Sequence, residues 1–338
     1  MDALSEALAS VRMTGAIFYH AECSAPWGFR VPPLDTVAHI LAPGTERLVT
    51  YHLVTEGKAV AEFADTTISL IAGDVLIIPQ GDPHTVSNGA PSEFIDSGAQ
   101  LCRVLSGERT TMRLGGGGET TRFVCGYFGC ERHADKLFLA GLPLIKINLR
   151  RDPGGEWLES SVRHLVSQAG SQRPGHSVLL AKMAEALFIE SLRRYMEELP
   201  SEQTGWLAGA RDPVVGAALA ALHRKPSHHW TLENLAAECA ASRSVVAERF
   251  IRYLGEPPLT YLARWRLQLA VRMLQTTRKT VLQVAGEVGY ESEAAFNRAF
   301  KREFGIPPGQ YRKVVSDTVR RAPVQDEARR SNRRAAGN

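Results

Sequence analysis

The chain of 338 residues is poor in features that define several protein classes. It has 5 cysteines, widely scattered and without a Cys-x-x-Cys pair, which argues against a disulfide scaffold or a zinc finger and for a reducing compartment. No run approaches the roughly 18 consecutive apolar residues of a membrane span, and no membrane partner is expected. Residues 1–14 carry acidic side chains and no apolar core run, so they do not read as a secretion signal. His-x-His occurs nowhere, and the glycine run Gly115–Gly118 is followed by no Lys-Ser/Thr that would make a phosphate cradle. That run reads as a linker-like insertion. These absences place the expected location in the cytoplasm.

Charge is present, and unevenly spread. Residues 213–338 hold 21 Lys and Arg against 11 Asp and Glu, whereas residues 1–212 hold 19 against 25. A basic half within a chain of net charge +4 suits a polyanionic partner.

The basic half also contains a repeat. Phe250, Gly255, Pro257, Pro258 and Tyr261 recur 50 residues later as Phe300, Gly305, Pro307, Pro308 and Tyr311. Upstream, Leu235–Cys239 and Val284–Val288 match at an offset of 49, so the second copy has one more residue in the turn that follows. A doubled helix–turn–helix is the architecture such a pattern specifies, and two units held together can enter successive major-groove segments of DNA. Thr231 reads as a helix cap in the first unit, where the second helix runs over Ser242–Leu254, and Ser292 reads as a cap in the second unit. The second helices bury Val246, Phe250 and Leu254, and Phe296, Phe300 and Phe304. Arg243, Ser244, Glu248 and Arg249 are then left outward on one helix, and Glu293, Ala294, Asn297, Arg298 and Lys301 on the other. These are the candidate DNA contacts: Arg298 has the fork that matches guanine, Asn297 the amide that matches adenine. Glu248 either accepts from cytosine or pairs with Arg252 one turn on. An amphipathic helix over 259–275, with Leu262, Trp265, Leu269 and Met273 in register, would fix the spacing of the two units.

Residues 1–140 read as mostly β, with short apolar runs at 16–19, 48–54, 67–71 and 75–78 broken by turn residues. Helical periodicity follows, strongest over 177–199, where the apolar face suits either a dimer interface or packing on the chain's own barrel. Beyond Lys313 the sequence is polar and Arg-rich, and an unstructured tail is expected over 316–338.

Residues 213–315 resemble the DNA-binding domain of the AraC/XylS family of bacterial transcription regulators. The resemblance rests on Val284–Ser292, Phe296–Lys301 and Gly305–Arg312. It places base contacts at Ser244, Glu248, Ala294 and Arg298, and departs from the family pattern at Glu248, where arginine is frequent, and at Ala294, which has no hydrogen-bonding group. The spacing Gly73, Pro79, Gly81, His84, Asn88 resembles a motif of the cupin barrel, and AraC-type regulators with a cupin-like sensing domain share this layout, including Ala25-Pro26-Trp27 and Cys125-Gly126. The expectation is therefore a multidomain α+β chain: a cupin-like β-barrel sensor (1–140), a helical connector and possible dimer interface (141–212), an all-α tandem helix–turn–helix (213–315) and the tail. The resemblance implies double-stranded DNA as partner, RNA polymerase if the protein activates, a homodimer, and a small-molecule or oxidant effector.

In the sensor, His52 and His84 are the candidate pocket residues. With no His-x-His, no metal and no cofactor are expected. Cys23 and Cys125 form a redox pair if the fold brings them together; Cys239 reads as core. The competing class is a cupin metalloenzyme, an oxygenase or isomerase, with an attached DNA-binding domain.

Overall fold

The computed structural model describes residues 2–10, 13–34, 47–98, 111–130, 141–168 and 174–321. The chain separates into two compact units, Ala7–Pro213 and Val214–Asn338, the latter grouped with Met1–Glu6.

After a short helix α1 (Ala3–Ser10), eleven strands follow: β1 (Met13–Ser24), β2 (Trp27–Val31), β3 (Arg47–Glu56), β4 (Lys58–Glu62), β5 (Thr67–Ile71), β6 (Asp74–Ile78), β7 (His84–Asn88), β8 (Ile95–Asp96), β9 (Thr111–Gly115), β10 (Thr120–Cys130) and β11 (Ile145–Asn148). They form a six-stranded sheet in the order β11-β6-β3-β10-β1-β9 and a five-stranded sheet in the order β5-β4-β7-β2-β8. Both are antiparallel except where β9 runs along β1 and β8 along β2. The sheets share a core in which Trp27 and Phe29 from one meet Phe123 from the other, ring centres 5.4 and 6.2 Å apart and near perpendicular.

The six-stranded sheet is buried on both faces. Alternate residues such as Val54, Leu76 and Phe123 enter the shared core, yet Val49, Tyr51, Leu53, Ile77, Val124 and Phe128 are equally inaccessible. Helices α2 (Pro153–Ser167) and α3 (His176–Glu198) cover that second face, with Phe188 against Phe128 at 5.0 Å. This explains why β6 reads as an unbroken apolar run and not an alternation. Of the two alternatives for this helical region, packing on the chain's own sheet is the one present, within the same compact unit. Ala184, Leu187, Phe188 and Leu192 form the buried stripe of α3, while Val178 and Leu179 stay exposed. Ion pairs with one buried partner each fasten the helices at the sheet edge. Glu159 holds Arg150 at 2.6 Å, and Arg194 reaches Asp152 at 2.7 Å and Glu190 at 2.6 Å.

The glycine run Gly115–Gly118 is not a loose insertion. Gly116 and Gly118 donate backbone hydrogen bonds to the carbonyls of Ser24 and Ala25, both at 2.8 Å, and Gly117 donates to Ser24 Oγ at 3.0 Å. A Cβ on Gly115 would lie 1.9 Å from the Ser24 carbonyl oxygen. Glycine is required there by close approach and by φ of +118°.

A short helix α4 (Trp206–Arg211) ends the first unit. The second comprises α5 (Pro213–Arg224), α6 (Leu232–Glu238), α7 (Arg243–Leu254), α8 (Pro258–Thr276), α9 (Val281–Glu287), α10 (Glu293–Phe304) and α11 (Pro308–Arg321). Helix α11 continues through residues 316–321, where an unstructured tail was expected; residues 322–338 lie outside the described residues. The central α8 is buried on two sides. Tyr261, Leu262 and Trp265 serve the first helix–turn–helix, and Leu267, Ala270, Val271 and Leu274 the second. The expected single stripe holds for Leu262 and Trp265, whereas Leu269 and Met273 are only partly buried.

Candidate nucleic-acid interface and candidate sensor cluster

The two helix–turn–helix units are built from the same local bonds. Thr231 and Asn234 cap α6 reciprocally at 2.8 and 3.2 Å, and Thr280 and Gln283 cap α9 at the same two distances. Each first helix closes with a left-handed residue, Ala240 at φ +49° and Gly289 at φ +89°. The extra residue of the second copy falls in the turn, between Gly289 and the cap Ser292. Ser242 and Ser292 cap α7 and α10, and Gly255 and Gly305 end them in the left-handed conformation. Phe250 then meets Tyr261 at 5.6 Å and 71°, and Phe300 meets Tyr311 at 5.6 Å and 77°. The repeat thus specifies how each second helix is seated on the core, not a shared surface chemistry.

On α7 the buried residues are Val246 and Phe250; Leu254 is partly exposed. Ser244 and Glu248 are exposed on the opposite side, and Arg243 and Arg249 are exposed on its flanks. On α10, Phe296 and Phe300 are buried and Phe304 partly so. Ala294, Arg298 and Lys301 are exposed, and Glu293 and Asn297 are half-buried. Among the described residues, Glu248 forms no ion pair with Arg252, whose guanidinium lies over the Tyr253 ring at 5.6 Å. Of the two alternatives for Glu248, the intrahelical pair is therefore not the one present.

His223 of α5 carries no signal in the sequence. It stacks on Trp265 at 4.0 Å and bonds through Nε2 to the Tyr261 hydroxyl at 2.8 Å. Burial drives its pKa down to about 3. Cys239, read as core, is half-buried at the end of α6, and burial pushes its thiol up to about 11.

In the first unit the two candidate histidines meet. His52 on β3 and His84 at the start of β7 face each other, Nε2 to Nε2, at 2.8 Å. Cys125, opposite His52 in the β3–β10 register, brings Sγ to 3.1 Å from His52 Nδ1. His84 Nδ1 lies 2.8 Å from the Asp82 carbonyl. That carbonyl only accepts, so His84 carries its proton on Nδ1 and presents a bare Nε2. His52 must then donate from Nε2, which leaves its Nδ1 to accept from the Cys125 thiol. The protons of all three side chains are assigned by this one end point. Phe63 stacks on His84 at 5.0 Å and Phe29 leans on His52 at 6.0 Å. Burial lowers the pKa of both rings, that of His52 well below the usual value, with His84 adding to it. The triad is neutral.

This geometry does not fit the metal site found in cupin enzymes. Two imidazoles on one zinc ion, each about 2.0–2.1 Å from it, hold their nitrogens about 3.3 Å apart; here the nitrogens bond to each other at 2.8 Å. Glu56, near His52 in sequence, is exposed and paired with Arg122. Among the described residues no group of three His, Cys, Asp or Glu is arranged to hold a metal ion.

The expected redox pair is corrected. Cys23 lies opposite Thr121 and Cys125 opposite Tyr19. Four residues of strand separate them, about 13 Å, beyond the roughly 7 Å between Cα atoms that a disulfide spans. Both are buried and outside any disulfide, and burial, then Glu22, pushes Cys23 up to about 12. Cys102 lies outside the described residues. The Cys125–His52 bond escaped the sequence reading because 73 residues separate its partners.

The chain thus combines a unit of capped, seated helix pairs with a β-sheet unit that holds a buried polar cluster. Residues 2–197 match the cupin family and residues 235–314 match the helix-turn-helix domain family. A putative AraC-like transcription regulator of Streptomyces lividans is 35% identical over 79% of this chain and 87% of its own length. The HTH-type transcriptional regulator AlkR of Acinetobacter baylyi is 32% identical over 92% of this chain and 99% of its own. The RCS-specific HTH-type transcriptional activator RclR of Escherichia coli is 28% identical over 93% and 98%. The solved DNA-binding domain of AdpA in complex with a target DNA is 32% identical over 33% of this chain and 99% of that one, with a TM-score of 0.31. The chain belongs to the AraC-like transcription regulators with an N-terminal cupin domain. It is a DNA-binding regulator, and no described helix is long and apolar enough to cross a membrane.

Proposed function

We propose that α7 and α10 read adjacent segments of one duplex through the exposed residues Arg243, Ser244, Glu248, Arg249, Ala294, Arg298 and Lys301 and the half-buried Glu293 and Asn297, and that the cupin unit sets how well they do so. The observation that carries this reading is the exposure of seven of those side chains on two helices anchored by the same caps and ring contacts. The input reaches the buried Cys125–His52–His84 cluster, as a small molecule or as an oxidant acting on the thiol. It shifts the population between two arrangements of the regulator. The protein works in the cytoplasm as a homodimer, contacts RNA polymerase where it activates, and carries out no enzymatic reaction. Against the metalloenzyme reading stands the 2.8 Å contact between the two histidines.

Fluorescence anisotropy on the gene's own upstream DNA, with scrambled duplex as control, tests the reading. Arg298→Ala is expected to lose about 1–3 kcal/mol on the specific site and far less on scrambled DNA. Equal weakening of both sinks the base-contact assignment. Wild-type affinity that no oxidant or small molecule changes, alongside intact specificity, sinks the sensor.

A further inference from the structure

The two helices carry opposite charge along the row each presents outward. On α7, Ser244, Glu248 and Ile251 follow one another at i, i+4 and i+7, so they share a face. Their counterparts 50 residues on are Ala294, Arg298 and Lys301. The first row holds one anion and no cation; the second holds two cations and no anion. Glu248, Arg298 and Lys301 are exposed and, among the described residues, have no ion-pair partner. Ile251 is a large apolar side chain left 47% exposed where the other helix has lysine. The Ser244 hydroxyl is taken up locally, 3.0 Å from that of the cap Ser242.

An unpaired carboxylate on a helix entering a polyanion is repelled by phosphate and loses water on reaching the groove. Only a base edge that donates a hydrogen bond offsets this. In the major groove guanine presents two acceptors and thymine an acceptor and a methyl group. Adenine presents its amino group beside the N7 acceptor, which faces the second carboxylate oxygen. Cytosine presents its N4 amino group with no acceptor beside it on the same base. From this row chemistry we propose that Glu248 makes α7 a cytosine-selecting helix, while α10 reads its base through the cation Arg298, with Lys301 adding attraction to phosphate. This rests on the reading of α7 and α10 as the DNA-contacting helices. It makes the two halves of the binding site unlike: one is read by a carboxylate that rejects guanine and thymine, the other by a cation.

In vitro selection from a duplex pool with a randomised window, using the purified full-length protein, tests this. The wild type is expected to enrich cytosine at one position in one half of the site. Glu248→Gln should move that position to adenine and Glu248→Arg to guanine, each with a change in relative affinity of at least about fivefold. The other half should stay unchanged. Lys301→Ala should lower the salt dependence of binding by about one counterion, and Glu248→Gln should not lower it. Position 248 is exposed, so all variants should melt at the wild-type temperature. A cytosine preference that survives Glu248→Arg overturns the proposal, as does a wild-type site in which α7 selects no cytosine. If Arg243→Ala and Arg249→Ala weaken binding in that case, α7 still faces DNA and only the base assignment falls. If neither they nor Glu248→Arg changes binding or selection, the reading of α7 as a DNA-contacting helix falls too.

Discussion

The thiol of Cys125 donates to Nδ1 of His52 across 3.1 Å in the interior of the cupin unit, and this bond orients a ring whose other nitrogen is bound to His84. Neither neighbour has a spare proton. His52→Ala would leave the thiol and His84 Nε2 without their partner and open a cavity beside Phe29. A loss of about 2–4 kcal/mol follows from these two costs together. Urea unfolding of the full chain, followed by tryptophan fluorescence, should show the cupin-unit transition moved and the helix–turn–helix transition unmoved.

Stability should fall with acid in a defined window. The folded-state pKa values of His52, His84 and His223 lie below the ordinary histidine value. The unfolded chain therefore takes up protons first as pH drops. The contribution is complete above about pH 6.5 and is lost below it, by up to about 1.4 kcal/mol per pH unit per histidine. For His223 the loss runs down to a pKa of about 3. His223→Phe, which keeps a ring against Trp265, should flatten the pH dependence of the helix–turn–helix transition between pH 6.5 and 4. An unchanged slope would refute the assignment of a buried neutral imidazole.

The paired turns give opposite expectations for one substitution type. Ala240 holds φ +49°, a strained conformation for a residue with a Cβ, so Ala240→Gly should gain up to about 1 kcal/mol. Gly289→Ala should cost about 2 kcal/mol or more, since it adds that strain and its Cβ would sit 2.8 Å from the Ser227 Cα. Thermal unfolding of the two variants should move in opposite directions.

Oxidation should not join Cys23 to Cys125. Mass spectrometry of peptides from protein treated with a mild oxidant is expected to find no Cys23–Cys125 disulfide while the fold is retained. Its appearance in folded protein would require a sheet register different from the one described.

What the sequence disclosed depended on the range of the signal. The helix–turn–helix units were legible because caps, turns and ring contacts repeat within a few residues, as at Thr280–Gln283 and Phe300–Tyr311. The barrel was legible only in part. Strand β10, in the middle of the six-stranded sheet, is interrupted by Gly126 and Gly129 and has no clean alternation, because both of its faces are buried. The encounter of His52, His84 and Cys125 depends on registers between distant strands, which no local pattern encodes. His223 was hidden for a related reason: a lone histidine in an apolar helix announces nothing until Tyr261 and Trp265 are seen beside it.

For anyone dividing or tagging this regulator, Gly115–Gly118 is a poor place to cut or insert. Its amides clasp Ser24 and Ala25, so a graft there would pry β9 and β10 from the end of β1. Residues 201–205, exposed throughout and ending in a Gly205 whose Cβ position is open, offer the tolerant junction. A reporter carried at that point would leave both the buried cluster and helices α7 and α10 as they stand.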